Sequence, residues 1–151
     1  MDIDFFEVTE SDYSKLDRPI LFEDVTADRA FAVISDGENQ YKFGWQSPLV
    51  KPKLVPVSGP FWSIGIDLTF VVVDFDKGLV CLRLDLNSFF HDAKVSGGAV
   101  YVATTMEIIQ IDIDSLVVVK TYDLPDSFET FEIDEMSLAV KCVNGEVFEL
   151  E

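Results

Sequence analysis

The sequence predicts an all-β chain assembled from a tandem unit of four short antiparallel strands, and three observations carry that expectation. First, Val95–Leu124 (VSGGAVYVATTMEIIQIDIDSLVVVKTYDL) falls without a gap on Val57–Leu86 (VSGPFWSIGIDLTFVVVDFDKGLVCLRLDL) at a shift of 38 residues, with 8 of 30 positions identical. About two identities would arise by chance at usual residue frequencies. Second, Ile109, Ile111 and Ile113 alternate with Gln110 and Asp112, and Val71, Val73 and Phe75 alternate with Val72 and Asp74. That period of two is the signature of a half-buried strand. Third, 13 Phe together with Val and Ile in alternation suit a pleated surface, and helical windows rich in Ala, Leu or Lys are scarce. The 48% apolar content and mean hydropathy of +0.22 exclude general disorder.

Taken in order, Ile3–Val8 reads as a strand followed by a polar turn at Thr9–Asp12. Pro19–Val25 is an imperfectly alternating apolar run. Ala30–Ile34 and Tyr41–Trp45 form a hairpin, with Asp36-Gly37 as its turn signal. Four of the six prolines fall in Ser47–Pro60, so that stretch is expected to be an edge strand or an extended connector, because proline cannot donate to a ladder. From there each unit reads as four strands. The first leads into the Val-Ser-Gly turn (Leu54–Val57, Ala93–Val95, Thr130–Ile133), and the second follows it (Phe61–Ile66, Ala99–Thr104, Ser137–Cys142). The third is Phe70–Phe75, Ile108–Ile113 or Glu146–Leu150, and the fourth is Leu79–Leu84 or Leu116–Tyr122; the last copy stops after its third strand. A chain of 151 residues suits one domain, divided into N-terminal strands (1–50), a first repeat (54–91), a second (92–129) and a partial third (130–151).

A four-strand unit of 38 residues is close to a β-propeller blade. The run GGAVYVATTMEIIQIDIDSLVVVKTYDL resembles the repeats of YVTN-type and quinoprotein-like propellers, which read small-apolar-Tyr-Val, a turn, then apolar residues ending in Asp. The resemblance covers residues 57–151 at most, and no Trp-Asp dipeptide of the WD40 kind is present. It implies blade-like sheets. Two and a half copies do not close a ring of the usual size, so an open or partial propeller, a sandwich-like stack and ring completion by several subunits all stay open, as does the oligomeric state.

Charge bounds the partners. The formal net charge is −17, and it is uneven: residues 1–40 carry 11 acids and 3 bases, residues 41–106 carry 5 and 6, and residues 107–151 carry 12 and 2. Such a surface repels phosphate backbones and anionic lipid headgroups, so neither nucleic acid nor membrane is expected as a partner. The start, MDIDFFEVTESD, has no basic segment before an apolar run, which points to a cytoplasmic protein. Cys81 and Cys142 fall at non-equivalent repeat positions without a CxxC and are expected to be reduced and buried.

Catalytic signatures are missing. His91 is the single histidine, its neighbour Asp92 projects to the opposite side in extended chain, and no GxSxG accompanies them, so no enzyme activity is expected. Gly97-Gly98 precedes a strand and has no lysine, which makes it a hairpin turn and not a phosphate loop. Asp74-Phe75-Asp76 and Asp112-Ile113-Asp114 are read as aspartates that start turns and bind nearby amides; they lack the glycine turn and further oxygens of a calcium loop. No metal or cofactor is expected.

The surface candidate is Asp123 to Glu135, where Phe128 and Phe131 are interleaved with Asp123, Asp126, Glu129, Glu132, Asp134 and Glu135. Carboxylates around aromatic anchors suit capture of a basic protein face, although an inter-blade loop with both rings in the core would have the same composition. The expected function is a non-enzymatic acidic protein that binds a basic protein, of the kind represented by immunity proteins that neutralise a cationic toxin. The alternative is an oligomeric propeller-type module binding a sugar or other small ligand; Trp45 and Trp62, which flank the proline connector, are read either as core residues or as the lining of a groove.

Overall fold

The computed structural model describes residues 2–23, 30–134 and 137–150. Strands β1 (Asp4–Val8), β2 (Ala30–Ser35) and β3 (Gln40–Trp45) form a first sheet, and helix α1 (Glu10–Lys15) lies between β1 and β2 in sequence. Strands β4 (Lys53–Ser58), β5 (Phe61–Ile66), β6 (Thr69–Asp74) and β7 (Leu79–Asp85) form the second sheet. Strands β8 (Phe90–Ser96), β9 (Ala99–Thr104), β10 (Glu107–Asp112) and β11 (Val118–Asp123) form the third, and β12 (Phe128–Asp134), β13 (Ser137–Cys142) and β14 (Val147–Leu150) form the fourth. The strands β1 to β14 form antiparallel meanders, and among the described residues α1 is the only helix. The sheets do not close into a barrel.

The repeat read from the sequence is repeated in the backbone. Phe75 N–H donates to the Pro60 carbonyl at 2.9 Å and Ile113 N–H to Gly98 at 3.0 Å; Leu86 to Leu68 at 2.8 Å and Leu124 to Met106 at 2.9 Å; Phe90 to Asp67 at 2.7 Å and Phe128 to Thr105 at 2.8 Å. Each pair is offset by 38 residues, the step of the sequence repeat. Gly59 and Gly97 share left-handed backbone (φ 55° and 58°), and so do Gly78 and Leu116 (φ 67° and 54°). The turn shape therefore persists where leucine has replaced glycine, at a local strain of about 1 kcal/mol or more. Asp74 and Asp112 start these turns as expected: Asp74 Oδ1 accepts from the amides of Asp76 and Lys77, and Asp112 Oδ2 from the amide and hydroxyl of Ser115.

Three buried clusters bind the sheets in series. The first and second sheets share Ile34, Phe43, Trp45, Ile64, Val71 and Phe75. The second and third share Phe70, Val72, Val100, Val102 and Ile111, and the third and fourth share Tyr101, Ile108, Phe128, Phe131, Val140 and Cys142. Even-numbered β6 residues face one neighbour and odd-numbered ones the other, which is why Phe70 to Val73 are all fully buried. Phe90 stacks on Phe70 at 6.1 Å, and its ring occupies the space that a side chain on Gly65 would need: a Cβ there would lie 2.3 Å from it.

Tyr41 ties the first sheet to the second. Its hydroxyl donates to the Phe75 carbonyl while its ring meets Phe75 edge-on at 4.8 Å. Burial, reinforced by Asp36, Asp74 and Asp76, holds its phenol above the ordinary value. A raised folded-state pKa contributes stability that is complete below the unfolded value, about 10, and disappears as pH rises through the folded value. Alkaline denaturation monitored by tyrosine absorbance is therefore expected to steepen above about pH 10, and Tyr41→Phe to remove that component.

The N-terminal part differs from expectation in two places. The turn at Thr9–Asp12 continues into α1, because Thr9 Oγ1 caps the amide of Asp12 at 3.1 Å and Tyr13 buries its ring against Phe31 at 4.7 Å. Pro19–Glu23 runs parallel to β3, with the Leu21 and Gly44 amides donating to the carbonyls of Lys42 and Phe22, so it lies in the fourth-strand position of the first sheet; Asp24 and Val25 lie outside the described residues. Lys42 crosses to α1, where Nζ donates to the Tyr13 and Leu16 carbonyls at 2.8 and 2.9 Å over the Tyr13 ring. The first sheet's outer face is thereby covered.

Candidate protein-binding surface

Among the described residues, a buried cluster packs on one face of the fourth sheet and none packs on the other. The sheet's inward rows are Phe131–Val140–Phe148 and Ile133–Leu138–Leu150, and all of these except the exposed Ile133 supply the cluster shared with the third sheet. The alternate rows, Glu132–Ala139–Glu149 and Thr130–Lys141–Val147, point away. Glu132 and Glu149 are exposed on either side of the small Ala139, and Val147 is 56% exposed. Strand spacing puts the two carboxylate-bearing strands about 10 Å apart. Glu129 approaches Lys141 at 3.9 Å with both side chains substantially exposed, a pairing of small energetic weight.

The structure divides the residues read from the sequence. Asp123, Glu129 and Glu132 are exposed and Asp126 is half-buried along β11, the connecting turn and β12. The backbone of Asp134 closes β12, and Glu135 lies outside the described residues. Phe128 and Phe131 are not available as anchors: both are buried, edge to face at 5.1 Å, within the cluster between the third and fourth sheets. The reason is the repeat. Phe128 is held by the Thr105 carbonyl as Phe90 is held by that of Asp67, and the 38-residue spacing of these two phenylalanines was a signal in the sequence that placed Phe128 in the core. Apolar exposure in this part of the molecule comes instead from Ile133, Val143 and Val147. Glu149, Lys141 and Val147 were missed as surface partners because their shared face follows from the register of three strands.

The remaining candidates are structural. Among the described residues no group of three or more His, Cys, Asp or Glu side chains is placed to hold a metal ion. His91 Nε2 lies 3.0 Å from Thr105 Oγ1, beside the Phe128 ring. Asp112 is held below the ordinary carboxylate range by the Ser115 amide and hydroxyl, and Asp36 chiefly by the Asn39 amide, as expected for carboxylates that close turns. Cys142 is buried and free; Cys81 is free but exposed, because the outer strand β7 packs only one side of itself on the core. Trp62 packs partly on the core, and the buried Trp45 donates its indole N–H to the Val50 carbonyl. Trp45, Glu23, Asp67, Arg83 and Asp85 line a cleft of about 290 Å³ between the first two sheets. Among the described residues no helix is long and apolar enough to cross a membrane.

No family model matches the chain, and no curated protein sequence matches it. Among solved structures, it is similar to the crystal structure of Saccharomyces cerevisiae Sqt1, with a TM-score of 0.61 and 17% identity over 82% of this chain and 40% of that one. It is also similar to the computationally designed Ika4 protein, with a TM-score of 0.61 and 15% identity over 80% of this chain and 78% of that one. The chain thus spans well under half of Sqt1, and at these identities the likeness concerns the fold alone.

Proposed function

We propose that this chain is a non-enzymatic, cytoplasmic binding protein that captures a basic protein partner on the open face of its fourth sheet, acting as an inhibitor of the immunity type against a cationic toxin. The observation that carries the reading is the asymmetry of the two ends. At one end α1 and the Lys42 side chain cover the first sheet; at the other, Glu132 and Glu149 stand on an uncovered face with Glu129 beside them. Residues 124–151, the part of the sequence that contains the fourth sheet, hold 8 acids against 1 base. Opposite charge on a partner would speed encounter, and the exposed Val147 would add apolar contact. The same field argues against nucleic acid and anionic lipid as partners.

The cleft beside Trp45 favours a second reading, a module for a sugar or other small polar ligand. Its oligomeric form is the weaker part, because end-to-end stacking would bring Glu10 and Asp12 of α1 against Glu132 and Glu149. A discrete oligomer by light scattering would favour it over the first reading. The first is tested by recovery from the native host on the immobilised chain: a basic protein held at low salt and released near 0.5 M, where the screening length falls to about 4 Å, is expected. Retention unchanged at that salt would overturn it.

A further inference from the structure

Among the described residues the fourth sheet has three strands, where the second and third sheets have four. In the second and third sheets the third strand is covered along its outer edge by β7 and β11, and both pairings contain a bulge, between Val72 and Val73 and between Gln110 and Ile111. Strand β14 holds the third position, pairs with β13 without a register shift, and has no further strand on its other side among the described residues. The Cys142 amide donates to the Glu146 carbonyl at 2.9 Å, which sets the phase of the ladder. Phe148 and Leu150 therefore turn their backbone groups toward β13, and Val147 and Glu149 turn theirs outward.

We propose that this edge takes an extended segment of the basic partner as a fourth strand. The proposal rests on the basic-partner reading above and names how that partner is held. Its side-chain chemistry follows from the two faces. On the inward side, the fourth strands of the other sheets put Leu82, Leu84 and Tyr122 against the clusters, and Phe148 is only partly covered, so apolar residues belong there. On the outward side Glu149 and Glu132 face solvent, so lysine or arginine belongs there. The occupant is thus a strand alternating basic and apolar residues, bound by main-chain hydrogen bonds with side chains setting choice. A second copy is disfavoured, because an antiparallel β14–β14 pair in this phase sets Val147 opposite Glu149 and brings the two Glu149 side chains to diagonal positions on one face.

The test uses the full chain and an eight-residue peptide of alternating Lys and Val, read by residue-resolved hydrogen exchange. Binding is expected to slow exchange of the Val147 and Glu149 amides at least tenfold. A peptide of equal charge, N-methylated at every second residue along its bonding edge, is expected to bind at least tenfold more weakly and give no protection. Val147→Pro, which removes an outward amide from an edge position that tolerates proline, is expected to keep the far-ultraviolet spectrum and lose the effect. Salt-sensitive binding with both amides exchanging at the free rate, or equal affinity for the methylated peptide, would overturn strand addition while leaving basic recognition in place. Absence of peptide binding would overturn strand addition as well, with the host recovery experiment deciding the broader reading separately. Protection that grows with protein concentration in the absence of peptide would assign the edge to a second copy and overturn the proposal.

Discussion

Reversing Glu129, Glu132 and Glu149 together to lysine is expected to weaken partner binding at least hundredfold, about 2.7 kcal/mol, while leaving the fold intact. The three changes replace attraction with repulsion on one face and move the formal charge from −17 to −11, since each adds two units. Like charges facing each other across an interface cost several kcal/mol, so the effect on affinity is large. The effect on stability is small because all three side chains are exposed, and exposed substitutions usually stay within about 0.5 kcal/mol. Titration calorimetry for affinity and thermal melting for stability separate the two quantities. Reversal of Glu10 and Asp12 on α1, at the opposite end, changes total charge comparably and is expected to alter binding by less than about threefold, since exposed charges beyond a Debye length are screened.

Phe70→Ala is expected to remove about 3–5 kcal/mol of folding stability, a large share of the about 5–15 kcal/mol of a typical domain. The ring is fully buried at the junction of the second and third sheets and stacks on Phe90, whose own position depends on Gly65. Both sheets belong to the middle of the series and are covered on both faces, so the cavity cannot be relieved by collapse toward solvent. Urea denaturation measures the loss as a shift in midpoint at constant slope. Val147→Ala, also an apolar truncation but on an exposed edge strand, is expected to change the midpoint little.

The repeat was legible because the same turn chemistry recurs at a fixed step. Asp74 and Asp112 close equivalent turns, Gly59 and Gly97 supply the same left-handed backbone, and the strands β5, β6, β9, β10 and β13 fall on or within a residue of the stretches that periodicity marked. The first sheet was harder to read as a further copy. Residues 9–29 separate β1 from β2, and Pro19–Glu23 fills the outer position by parallel pairing, so no constant offset relates this sheet to the others. At the candidate surface the carboxylates of β12 were legible from composition and the burial of Phe128 from its 38-residue spacing to Phe90, but the burial of Phe131 was not. Phe128 and Phe131 look alike on either side of Glu129, and their common burial depends on a bulge between Phe128 and Thr130, which changes the simple alternation by one residue. The outward face itself is a property of three paired strands, which explains why Glu149 entered only with the register.

The most direct measurement is zero-length carbodiimide cross-linking of the chain to its basic partner, with the joined carboxylates identified by mass spectrometry. Links from partner lysines to Glu129, Glu132 and Glu149 on the fourth sheet are the predicted result. Links concentrated on Glu10 and Asp12 of α1, or scattered evenly over all four sheets, would contradict it.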